Sequence, residues 1–132
     1  MIGQRAGKGL GMSTEPEVPT VFEVMKRAVE VCDPEGAYPE TADLLARFED
    51  RDEPVTALAN PDLEITEAAA LDEGVAGPVE IMAVAVGTYL AHRRDEIDDD
   101  RFELLSLAAR AEFEGEPTPD VLDWLSSEGV RV

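Results

Sequence analysis

The sequence predicts an all-α fold, a compact bundle of six or seven short helices around one central apolar helix at about 78–96. Three observations carry this. Ile81 to Ala91 is the one run of eleven successive residues without a charge. Helix-opening signals recur along the chain, each a capping residue followed by a first-turn proline or by an acid three residues on. Hydrophobic content is 44 % with only 5 % aromatic residues, so the core must be built of Ala, Val and Leu, which suit helix packing.

Residues 1–19 read as a flexible N-terminal extension and linker, and residues 20–132 as a single helical domain. Residues 1–12 carry four Gly, two bases and no acid, a composition foreign to the rest of the chain, and Met12 resembles a second start. Gly7-Lys8-Gly9 fails as a phosphate loop, because Gly3 and Gly7 are one residue too close and Gly9 stands where Ser or Thr must bind magnesium.

Thr20-Val-Phe-Glu23 is a capping box that should open the first helix. Val21, Met25, Ala28 and Cys32 line one face with Phe22 and Val29 beside them, and Asp33-Pro34 ends it because the residue before proline leaves helical geometry. Pro39 and Glu40 open a second helix to about Glu49, with Leu44, Leu45 and Phe48 inward. Pro54 begins a short helix through Val55 and Leu58. Asn60-Pro61-Asp62 then caps a helix expected to run to Glu73 and stop at Gly74.

Val, Ile and Tyr in the central segment also favour strands, but Gly77 as N-cap, Pro78, Glu80 and the closing Arg93-Arg94 are all helical end signals. The segment is shorter than the about 20 apolar residues that cross a bilayer. Ala83, Gly87 and Ala91 form a stripe of small side chains along which a second helix can lie close. That helix belongs either to the same chain, the simpler expectation, or to a second copy in a homodimer. Gly87 in mid-helix costs about 1 kcal/mol against Ala, which implies that the space matters.

The Asp98-Asp99-Asp100 run supplies an aspartate cap for the next helix, whose inner stripe is expected at Phe102, Leu105, Ala109 and Phe113 with Gly115 as its stop. Thr118-Pro119-Asp120 opens a last helix carrying Val121, Leu122, Trp124 and Leu125 to Gly129, with Trp124 as a core or lid residue. An offset of 63 residues aligns 20–58 with 83–121 at nine identities in 39, a pattern compatible with a duplicated helical hairpin, although Ala and Glu match easily by chance.

The chemistry is marked by what is missing. His92 is the single histidine and is followed by two arginines, so it reads as a helix C-terminal residue. Cys32 has no local base and lies on an apolar stripe, which makes it a small core residue. A calcium loop begun at Asp95 fails at Ile97, Asp100 and Ser106. No catalytic, cofactor-binding or metal-ligating residues are assigned, and no cofactor is expected. Arg27, Arg47, Arg51 and Arg110 are expected to pair with acids of the surface.

Thirty acids against eleven bases give a formal charge of −19, spread over both halves of the chain. Such a field repels nucleic acid and anionic membranes, so neither is an expected direct partner. One cysteine and no secretory signal make the cytoplasm the expected location. The chain therefore reads as a non-catalytic interaction or regulatory protein, acting by homo-oligomerisation or by docking a basic protein partner. Two alternatives stay open, a small enzyme or ligand carrier using carboxylates and arginines in a cleft between two helical halves, and a DNA-mimic inhibitor. Adaptation to concentrated salt, with acids keeping the surface soluble, is a further account of the charge.

Overall fold

The computed structural model describes residues 18–72, 75–93, 97, 99–114 and 116–130. Their order is α1 (Val21–Cys32), α2 (Pro39–Ala46), a 3₁₀ turn (Val55–Ala57), α3 (Pro61–Ala69), α4 (Pro78–His92), α5 (Arg101–Phe113) and α6 (Pro119–Ser127). The described residues hold no strand beyond one isolated bridge between Thr20 and Pro54. The extension expected at residues 1–12 lies outside them.

Local signals start the helices. The Thr20 hydroxyl oxygen accepts from the Glu23 N–H at 3.0 Å, and the Glu23 carboxylate accepts from the Thr20 N–H at 2.8 Å. Asn60 and Asp100 cap α3 and α5 through their side chains. Proline occupies the first turn of α2, α3, α4 and α6, where its missing N–H costs nothing. Glu80 reaches back to accept from the Gly77 N–H at 3.0 Å.

The central helix is α4, which touches every other α-helix among the described residues. It is apolar nearly all round, and nine of its residues are buried, among them Met82, Val86 and Leu90. A helix of that kind gains its stability from being covered on several sides. The most extensive cover is α1, whose Val21, Val24, Met25, Ala28, Val31 and Cys32 are all buried. One continuous cluster joins α4 and α1 to Leu44 of α2 and Phe48 just beyond it, Ile65 of α3, Leu104 and Leu105 of α5, and Trp124 and Leu125 of α6.

Several expectations shift at this level. Helix α3 ends at Ala69 rather than Glu73, with Ala70 left-handed at φ 51°. The Arg47 guanidinium binds the carbonyl oxygens of Ala69 and Ala70, and so satisfies helix-end acceptors that a further turn would have used. Gly74, the expected stop, lies outside the described residues, as do Arg94 to Glu96 of the expected central helix, which closes at His92. On α5 the buried face is Leu104, Leu105, Ala108 and Ala109, while Phe102 is 47 % exposed. The apolar residues of α5 nearly encircle it, so their spacing alone does not select the inner face.

Candidate functional site

Two sides of α4 have different fates. The stripe of Ala83, Gly87 and Ala91 is buried inside the chain. A Cβ added at Gly87 would collide with Met25 Sδ and stand 3.7 Å from Ala28 Cβ, so the glycine seats α1. A second copy could reach this stripe only by displacing α1.

The other side is less completely covered: Ala85 and Thr88 are buried, but Ile81 and Val84 are half-buried and His92 is exposed. Ile81, Val84, Ala85, Thr88 and His92 follow one another along α4 at helical spacing, and with α3 they wall two successive depressions. The first, of about 290 Å³, is mainly apolar and is bounded by Thr66 and Ala69 of α3, Leu71, Asp72 and Ala76 of the connection, and Ile81 and Val84 of α4. The second, of about 240 Å³, is bounded by Asp62 of α3, Ala85, Thr88, Tyr89 and His92 of α4 with Arg93 beyond it, and Ala111 and Glu112 of α5. Helix α3 thus runs antiparallel to α4, with Asp62 at the His92 end and Ala69 at the Ile81 end.

The polar end contains the one histidine. His92 Nε2 lies 2.7 Å from Asp62 Oδ1, with both side chains more than half exposed, so solvent screens the pair and keeps it weak. Partial desolvation in the pocket wall, and then the negative charge of Asp62, push the Glu112 carboxyl above its ordinary range. No group of three or more His, Cys, Asp or Glu side chains that could hold a metal exists among the described residues.

A third depression, of about 260 Å³, lies between Asp33, Tyr38, Arg101 and Glu128, and the charges of Asp33, Arg101 and Glu128 are engaged within the fold. Arg101 donates through Nε to the Val31 carbonyl and through Nη2 to Glu128, both at 2.7 Å, joining the end of α1 to the start of α5 and the end of α6. Asp33, 6 % exposed, accepts from the N–H groups of Ala37 and Tyr38 and from the Thr41 hydroxyl. Burial alone would raise its pKa, but the bonds from Tyr38, Thr41, Ala37 and Gly36 outweigh it and hold the carboxyl below its usual range. Cys32 is buried and free, and burial raises its thiol pKa far out of the reactive range, with the Arg101 charge opposing in part.

The arginines behave differently from expectation. Arg51 pairs with Glu53 at 3.0 Å, but Arg27 donates to the carbonyls of Ile97 and Asp99, and Arg47 to those ending α3. Both serve as chain ties rather than acid partners. Arg101, which spacing does not single out, ties three helices together. Trp124 is buried, and its Nε1 is the one buried side-chain nitrogen or oxygen without a partner among the described residues.

No protein-family model, no curated protein and no solved structure matches this chain. Among the described residues no helix is long and apolar enough to cross a membrane.

Proposed function

We propose that the chain is a non-catalytic docking protein whose partner is a basic protein segment. The single observation that carries this is a partly apolar trough whose walls hold three acids, Asp62, Asp72 and Glu112, against one arginine, Arg93. Residues 52–91, which supply α3 and the trough side of α4, hold eight acids and no Lys or Arg in forty residues. Complementary charge speeds encounter and selects the partner, while apolar contact supplies affinity. Self-association through Ala83, Gly87 and Ala91 is disfavoured because that stripe lies against α1.

The second reading, a small enzyme or ligand carrier, rests on the Asp62–His92 pair beside Glu112. It is the weaker one because the pair is exposed, and a general base gains its strength from a sheltered setting that shifts its pKa.

The test is fluorescence anisotropy with a labelled amphipathic peptide bearing Leu on one face and Lys on the other, against the same peptide with Glu for Lys. The basic peptide is expected to bind at least about tenfold tighter at low salt, with affinity falling steeply as potassium chloride is added. Equal binding of the two peptides, or none, contradicts the reading.

A further inference from the structure

We propose that the face shared by α3 and α4 is the seat of a basic amphipathic helix from another protein, with an aliphatic side chain in the depression between Leu71, Ala76, Ile81 and Val84. This rests on the docking reading above and assigns it a place, an occupant and a register.

The dimensions suit a helix. From Ile81 to His92 the side of α4 that lines the two depressions advances eleven residues, about 16 Å at about 1.5 Å per residue, or three turns, with Ala85 and Thr88 buried at its floor. Helices held in grooves present their anchors at i, i+3 or i+4, and i+7, which span a comparable length. Apolar surface continues beyond the depression: Leu63, one turn before Thr66, is 52 % exposed, and Val75, next to Ala76, is 79 % exposed. Large aliphatic side chains left in water near an apolar hollow extend the area that a partner would bury.

Charge selects the occupant. Asp72 stands in the wall of the apolar depression, and Asp62 and Glu112 stand in the wall of the next against the single cation Arg93, so acids outnumber bases three to one along the trough. The base nearest the apolar end, Arg47, is already bound to the carbonyls that end α3. A second copy of this chain would bring a further charge of −19 to the same face, and an acidic or neutral helix would gain nothing from the rim. A helix with Leu or Ile on one side and Lys or Arg flanking it satisfies both hollow and rim.

The experiment uses the full chain and the Leu/Lys peptide. Thr66→Arg puts a long cation at the mouth of the depression from an exposed position. Ser126→Arg makes the same charge change on α6, outside both trough depressions. Ile81→Gln alters the wall without altering charge. Thr66→Arg and Ile81→Gln are each expected to weaken binding about tenfold or more, and Ser126→Arg less than about twofold. Equal weakening by the two arginine variants, with no effect of Ile81→Gln, overturns the groove and leaves acidic docking standing. If wild type binds neither peptide, the docking reading itself fails. Tighter peptide binding in an Arg5→Ala, Lys8→Ala, Glu15→Ala, Glu17→Ala variant, which keeps the net charge, would instead make the chain's own basic N-terminal segment the occupant, and overturn the proposal of an external partner.

Discussion

Asp33 shows how a single buried carboxylate can fix a chain reversal. It terminates α1, and its oxygens collect the N–H groups of Ala37 and Tyr38 together with the Thr41 hydroxyl, so the start of α2 is laid down relative to the end of α1. Removing it leaves these donors without an acceptor in a half-buried turn, and Asp33→Ala is expected to cost about 3 kcal/mol. The pH dependence has a definite sign. Because its folded pKa lies below the unfolded value of about 3.8, Asp33 contributes stability that is present above that pH and lost as pH falls through the folded pKa. In denaturant melts across pH 7 to 2, wild type should therefore lose its advantage over Asp33→Ala at the acid end. An advantage that stays constant would show that the carboxylate's charge plays no part. Thr41 is buried for the same reason, a polar side chain retained because its hydroxyl donates to Asp33.

At the scale of elements, the contact of α1 with α4 decides the architecture. Gly87 gives up helix propensity of about 1 kcal/mol so that Met25 can enter the space where a Cβ would stand. Gly87→Ala recovers that propensity but overpacks a fully buried site, which costs about 1–3 kcal/mol, so a net loss of about 1 kcal/mol is expected. Met25→Ala alone should cost about 2–5 kcal/mol by leaving a cavity. The double variant should be more stable than the sum of the two losses implies, by about 1 kcal/mol or more, because the new methyl group then enters vacated space. Strict additivity in equilibrium unfolding would separate Gly87 from Met25 and remove the reason for the glycine. Local signals were legible in the sequence. The Thr20–Glu23 box, the Asn60 cap, an aspartate cap within the run 98–100 and the first-turn prolines act within a few residues, and the structure selects Asp100 from that run. The inner face of α5 and the end of α3 were hidden because distant groups set them, tertiary packing turning Phe102 outward and Arg47 holding the carbonyls of Ala69 and Ala70. Arg101 was missed for the same reason, since its partners Val31 and Glu128 lie 70 and 27 residues away.

For the molecule as a whole, the acidic coat and the buried rod divide the work. The rod is almost free of charge, and Asp62, Asp72 and Glu112 stand with Arg93 in the walls of the depressions beside it. The trough was not legible in the sequence, because its walls combine residues from 62 to 112 that share no pattern until α3 has been laid antiparallel on α4. A charge of −19 alone would attract a basic segment to any part of the surface, so the place of contact is the claim to be tested. The most direct measurement follows the backbone amide resonances of the full chain while the basic amphipathic peptide is added at moderate salt. With the peptide seated between α3 and α4, the largest changes fall at Thr66, Leu71, Ala76, Ile81 and Val84, and continue towards His92. Changes spread evenly over the acidic surface, or greatest on α6, would contradict that seat.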